Sequence, residues 1–197
     1  MNFNNDLKKQ VSENIYTHAT LLRLNQQINI SIKKIYKSIK KKGKILFCGN
    51  GGSAADAQHL TAEYLVRLRK NLNRDPIPAI TLAQDTSTLT ACGNDFSFDD
   101  IFLRPFKALV AKNDVLICIS TTGNSNNIIK VLKEAKKKKI LTISFLGNGG
   151  GQAKKFSDIK LIVASKVTSR IQECHIFLGH FILEQVENMI LKKNKSN

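Results

Sequence analysis

Apolar positions along this chain follow two different periods. From residue 3 to residue 41 they return near helical spacing, at Ile15, Leu22, Leu24, Ile28, Ile32, Ile35 and Ile39, which predicts a helical start with a break around residues 17 to 20. Such a start, with an apolar stripe, is expected to pack against another subunit. Beyond it the pattern changes to short, unbroken apolar runs: "KILFCG" (44–49), "PAITLA" (78–83), "DVLICIS" (114–120), "ILTISFLG" (140–147) and "IKLIVAS" (159–165). These predict five strands.

Helical or turn-like segments separate the runs. "SAADAQHLTAEYLVRLR" (53–69) reads as a helix with Ser53 at the N-cap, and "TSTLTACGN" (86–94) as a short helix or turn. "DDIFLRPFKALVA" (99–111) is a helix in which Pro105 marks a start or kink. "NSNNIIKVLKEAKKKK" (124–139) is a further helix, "GGGQAKKFSD" (149–158) begins a short one, and residues 168–193 form a long last helix. Strands that are apolar on both faces and separated by helices imply an α/β fold, with a five-stranded parallel sheet covered by helices on both sides. Ligands of such sheets bind at the carboxyl ends of the strands. No linker or shift of composition divides the chain, so one domain is expected over 1–197, with a helical segment at 1–41 and the α/β core and last helix at 42–197. "ILFCGNGGSAADA" and "LICISTTGNSNNI" echo each other: strand, small polar turn with glycine, helix.

Composition narrows the picture. At 197 residues and 42% hydrophobic content the chain is large enough for a real core. It has no apolar run of spanning length, and "MNFNNDLKKQ" lacks the apolar stretch of a secretory signal, so a cytoplasmic location is expected. Cys48, Cys92, Cys118 and Cys174 form no CxxC pair; Cys48 and Cys118 lie in apolar strands and read as reduced, buried thiols. The net charge is +16, carried mostly by lysine in runs such as "KEAKKKK". Nucleic-acid recognition recruits arginine forks and interleaved aromatics, which these runs lack. Solvated lysine faces are expected, with no nucleic acid and no membrane as partner; the field favours small acidic molecules such as sugar phosphates.

Two stretches suggest chemistry. "STTGNS" (120–125) sets Ser120, Thr121, Thr122 and Ser125 between a buried strand and a helix start. Free backbone N–H groups and a partial positive charge attract anions there, although the same residues are also what tight turns use. There is no GxxxxGK[ST], and the turn holds no lysine or arginine, so a phosphate monoester suits it better than a triphosphate. "GNGGS" is not GxGxxG either. His59 and Glu63 stand four residues apart on the helix after it, a spacing shared by a metal site, an acid/base couple and a plain surface pair. On the last helix Gln172 and His180 share a broad face. His175 points elsewhere and reads as structural. By itself His180, within "FLGHFIL", reads as a core histidine.

Taken together, "CGNGGSAADAQH" with Glu63, "GNDFSFDDIF" (93–102), "ISTTGNS" (119–125) and "RIQECH" with His180 resemble the phosphoheptose isomerases, enzymes of the sugar isomerase (SIS) fold, over nearly the whole chain. The resemblance implies a single SIS domain, a homotetramer with active sites between subunits, and zinc at His59, Glu63, Gln172 and His180. It places the phosphate on Ser120, Thr121, Thr122 and Ser125, and further substrate contacts at Asn50, Gly51, Gly52, Ser53, Asn94 and Asp95. Glu63 and Gln172 also count among the substrate contacts. The implied reaction converts sedoheptulose 7-phosphate into D-glycero-D-manno-heptose 7-phosphate through an enediol, toward nucleotide-activated heptose for lipopolysaccharide or capsule. Glu63 and His180 fit the acid/base roles, with His180 handling a carbon-bound proton. The chain departs from the family pattern at Thr122, where serine is common, at Ser169, where many members carry Asp, and at "AEYL" in place of "AEEL". The alternative is a non-catalytic SIS-fold regulator that binds the replication initiator; such proteins tend to lack the groups matched by Glu63 and His180, and both are present here.

Overall fold

The computed structural model describes residues 3–82 and 85–194, and its helical start is broken at the predicted place. α1 (Phe3–Thr20) runs through a 3-10 turn (Leu21–Leu24) into α2 (Asn25–Lys40). Thr17 Oγ1 donates to the Glu13 carbonyl at 2.7 Å and Thr20 Oγ1 to the Thr17 carbonyl at 2.6 Å. Hydroxyls that bond back into the preceding turn bend a helix and favour its end.

Five strands follow: β1 (Ile45–Gly49), β2 (Ala79–Thr81), β3 (Val115–Ser120), β4 (Leu141–Leu146) and β5 (Ile159–Ile162). All pair in parallel, in the order β2-β1-β3-β4-β5. Between and after them lie α3 (Gly52–Leu65), α4 (Thr86–Asp95), α5 (Leu103–Leu109), α6 (Asn126–Lys137) and α7 (Thr168–Asn194). Alternate strand residues feed two cores, as the pleat requires. Ile45, Phe47, Ile117, Ile119 and Phe145 pack with buried residues of α2, α3 and α7. Leu46, Cys48, Leu116 and Cys118 pack on the other face with Phe106 of α5 and Ile128, Val131 and Leu132 of α6. All four cysteines are free and buried.

Several boundaries differ from expectation, each for a local reason. Ser53 does not cap α3: the N-cap is Gly51, at φ 56°, and no side chain caps the helix there. That helix ends at Leu65 rather than at residue 69. The segment 99–111 splits into a 3-10 turn (Phe98–Asp100) and α5, with Pro105 in the first turn of α5, where its missing N–H costs nothing. Edge strand β5 is shorter than the run 159–165 and turns Lys160 to solvent, which protects an open edge. Ala83, the last residue of the predicted second strand, lies outside the described residues.

The lysine runs are exposed and sit where helices end. Lys37 and Lys40 occupy the last turn of α2, and Lys136 and Lys137 that of α6. Cations there complement the partial negative charge of the terminal carbonyls. Among the described residues no helix is long and apolar enough to cross a membrane.

His175 of α7 is fully buried, and neither ring nitrogen makes a hydrogen bond of ordinary geometry. Burial pushes its pKa down to about 4, with the Leu146 backbone working weakly the other way. The folded state therefore keeps this ring neutral where the unfolded chain binds a proton, so stability falls as the pH drops below the ordinary histidine value toward 4. At about 1.4 kcal/mol per pKa unit, this group should remove roughly 2 kcal/mol between pH 7 and pH 5. Denaturant titrations at the two pH values should show that loss in the wild type and a flatter dependence in His175→Met. An equally steep dependence in the variant would locate the acid sensitivity elsewhere.

Candidate active site

The strand order fixes where a ligand pocket forms. The chain leaves β1 toward one edge of the sheet and β3 toward the other, and these two strands are neighbours, with Gly49 in register with Ile119. The loops after them diverge, and the crevice between diverging loops is where parallel α/β sheets bind ligands. The two echoing turns of the sequence are these loops.

The first runs from Gly49 into α3. Its Asn50 exchanges two hydrogen bonds with Asn127 of α6: each amide nitrogen donates to the other's oxygen at 2.9 Å. This bridge ties the loops together, and Asn127 is buried. Sequence reasoning passed over Asn127. The signal was there, since it stands at the start of the second echoing helix as Asn50 stands before the first.

In the second loop Ser120 is buried and its Oγ accepts from the Gly123 amide at 3.0 Å, leaving the hydroxyl proton to donate elsewhere. Thr122 Oγ1 accepts from the Asn124 amide at 3.2 Å. Thr121 is half-buried, and Ser125 is the N-cap of α6 by backbone position, although its side chain makes no capping bond. The loop is braced from behind by Gln152 and Ala153, just after the glycine run 149–151. Ala153 N donates to the Gly123 carbonyl at 2.8 Å and Gln152 N to Asn124 Oδ1 at 2.9 Å. Gly123 has φ 67°, and a Cβ there would collide with the Gly150 carbonyl oxygen, so only glycine serves.

Farther along α3, that helix and α7 pass very close. A Cβ on Gly179 would sit 2.5 Å from a methyl of Leu60, so the bare backbone at 179 lets the helices meet. The neighbours of those two residues are His59 and His180. Their Nε2 atoms are 2.9 Å apart, and Glu63 Oε1 is 3.5 Å from His59 Nε2. Ligand atoms of His59, Glu63 and His180 all lie within 4.8 Å of one another. Gln172, two turns earlier on α7, reaches the other end of α3: its side-chain amide fills the space that a Cβ on Gly52 would take.

Burial and the closeness of like groups set the electrostatics of the cluster. Burial, and then the neighbouring His59, hold the pKa of His180 below its ordinary value, with Glu63 acting the opposite way. Asp56, one turn before His59, is pushed up to about 6 by burial, and His59 opposes the shift. Glu63 Oε2 is buried with no hydrogen-bond partner. A buried carboxylate oxygen without a donor is costly unless something positive meets it. Two imidazole nitrogens and a carboxylate are the donor types zinc takes, so these residues fit such an ion.

Not every predicted contact converges. Asn94 and Asp95 end α4, exposed, and Asn94 Nδ2 donates to Asp95 Oδ1 at 2.8 Å. No hydrogen bond among the described residues joins either to the histidine cluster. Gly51 and Gly52 are exposed beside the first loop, and Ser53 is buried beneath it.

Comparison with known proteins places the fold in a family. The class defined by the fold and its paired loops is the SIS domain, whose family model matches residues 11–147. The phosphoheptose isomerase of Clostridium acetobutylicum is 44% identical over 93% of this chain and 94% of its own length. Among solved structures, a phosphoheptose isomerase from Neisseria gonorrhoeae superposes with a TM-score of 0.88 at 35% identity, covering 94% of this chain and 99% of its own. One from Francisella tularensis gives 0.90 at 30% identity, covering 95% and 100%. The chain belongs to the phosphoheptose isomerases of the SIS-domain family.

Proposed function

We propose that this chain is an aldose–ketose isomerase that converts sedoheptulose 7-phosphate into D-glycero-D-manno-heptose 7-phosphate. The observation that carries the reading is the meeting of Glu63 and His180 beside His59, on helices whose histidines are 121 residues apart. The non-catalytic regulator is not favoured: the relatives are isomerases by name, and the acid and the imidazole are both in place.

The phosphate rests in the loop after β3. Ser120 donates its free hydroxyl proton, Thr121, Thr122 and Ser125 supply further hydroxyls, and the start of α6 adds its partial positive charge. Asn50 to Ser53 of the first loop, together with Asn94 and Asp95, contact the sugar. This grip is remote from the bonds that change, so its binding energy serves to position C1 and C2. Interconversion through an enediol moves one proton between those carbons and others between the oxygens. His180, whose pKa burial and then His59 hold below its ordinary value, accepts the carbon-bound proton when its nitrogen is free of metal, and Glu63 serves the other transfer. His59, Glu63 and His180 would hold a zinc ion that would supply Lewis-acid polarisation of the carbonyl, while Gln172, whose amide lies against Gly52 at the other end of α3, contacts the sugar.

The enzyme acts as one domain over residues 1–197, with residues 1–41 as a helical segment, in the cytoplasm and as a homotetramer. The apolar stripe Phe3, Leu7, Val11 and Ile15, exposed at every fourth position of α1, supports a partner subunit, as do exposed Phe177 and Phe181 flanking His180. His59, half-exposed, is also left open for one. The product feeds nucleotide-activated heptose for lipopolysaccharide or capsule.

Incubating the purified protein with sedoheptulose 7-phosphate, with and without a zinc chelator, tests the reading. Aldose should form and the chelator should stop it; no turnover in the zinc-loaded protein would reject the function. In the same assay Ser120→Ala should raise KM about tenfold, the loss of one charge-assisted hydrogen bond, and change kcat less than about threefold. An unchanged KM would move the phosphate elsewhere.

A further inference from the structure

Beneath the site α3 and α7 are joined a second time, by charge. α3 ends at Leu65, and its last carbonyls would lack intrahelical partners. Arg74, from the loop that follows, takes two of them: Nη2 donates to the Glu63 carbonyl at 2.7 Å and Nη1 to the Tyr64 carbonyl at 2.9 Å. Its Nε donates to Glu187 Oε1 of α7 at 2.5 Å. Both side chains are almost wholly buried, at 2% and 1% exposure. Glu187 follows His180 by seven residues, two helical turns, so the two share a face to within about 20°.

We infer that Arg74 is a positioning residue: its guanidinium clamps the backbone of Glu63 to α7 and thereby sets the separation between Glu63 and His180. Burying an ion pair contributes little stability compared with an apolar pair of equal size. What a guanidinium adds is a rigid planar fork with donors at fixed angles. Here one edge of the fork holds the residue that carries the site's carboxylate, and the other holds the helix that carries its imidazole. Arg69 lies in the same cluster but differs in an instructive way. Its bonds to Glu184, Glu187 and Asn188 all go to side chains of α7, and none goes to the carbonyls of α3. The inference rests on the assignment of Glu63 and His180 to the reaction and deepens it.

The test compares Arg74→Lys, Glu187→Gln and Arg69→Lys in the full chain. Zinc affinity is read by competition with a chromogenic chelator, kcat and KM with sedoheptulose 7-phosphate, and the Glu63–His180 separation from crystal structures. Lysine cannot span both edges of the fork, and glutamine removes the buried charge that orients it. Arg74→Lys and Glu187→Gln should each lower zinc affinity and kcat by about tenfold or more, the usual effect of losing a group that orients ligands. KM should stay within about threefold, and Glu63 and His180 should move apart, while Arg69→Lys should leave all readouts within about twofold. Folded Arg74→Lys or Glu187→Gln with wild-type zinc affinity and kcat overturns the clamp, and so does an Arg69→Lys as impaired as Arg74→Lys. If Arg74→Lys does not fold, Glu187→Gln decides; if neither folds, the cluster is a folding element and the positioning role is rejected. A wild type that binds zinc but does not isomerise the sugar would reject the function, and zinc affinity and the Glu63–His180 separation would still judge the clamp.

Discussion

Glu63→Gln should lower kcat for sedoheptulose 7-phosphate by about 10³-fold, within the range that general acid–base groups contribute, while KM shifts less than about threefold. Glutamine has the same shape but cannot take a proton at working pH. The buried oxygen that now lacks a donor, Oε2, would lose its negative charge. The phosphate loop after β3 is built by other elements and should be unaffected. Steady-state kinetics together with solvent-deuterium incorporation into the sugar would check this, because exchange at carbon must fall along with turnover. Activity within tenfold of the wild type would remove Glu63 from proton transfer.

His180→Ala should be as damaging to kcat, again by about 10³-fold, and should add a second defect. The imidazole contributes a nitrogen 2.9 Å from that of His59, so its loss should also weaken zinc binding. Binding of the phosphate end, measured with a non-isomerisable sugar phosphate, should stay near the wild-type level. The variant leaves an opening at the half-buried site rather than a hole in the core, so its melting temperature should change little. A folded His180→Ala that turns over normally would return this histidine to the packing role its sequence neighbours suggest.

That histidine shows how unevenly the molecule could be read. The five strands were visible because a parallel sheet covered on both sides needs runs that are apolar throughout, and "ILFCG" and "VLICIS" are fully buried over their whole length. The break after α1 was visible because its threonines bond their own helix. Helix ends were less legible. The start of α3 depends on Gly51 holding a positive φ and not on the hydroxyl of Ser53, and the end of that helix depends on Arg74, nine residues beyond Leu65. Of the site, the i, i+4 pair of His59 and Glu63 could be seen locally. Asn127 was missed because its partner, Asn50, lies 77 positions away.

The sequence by itself determined the alternation of elements, the class of fold, the position of two anion-suited turns at strand ends and the pairing of an imidazole with an acid on one helix. Each of these is a short-range matter of periodicity, turn chemistry and helix geometry, settled within a few residues. Only the tertiary structure decided that His180 stands beside His59 and Glu63 rather than inside the core, that Gln172 meets the start of α3, and that Arg74 and Glu187 lock the two helices below the site. Those outcomes depend on the order in which strands pair and on how near two helices can come where residue 179 has no side chain. Neither is written in any local stretch of the chain.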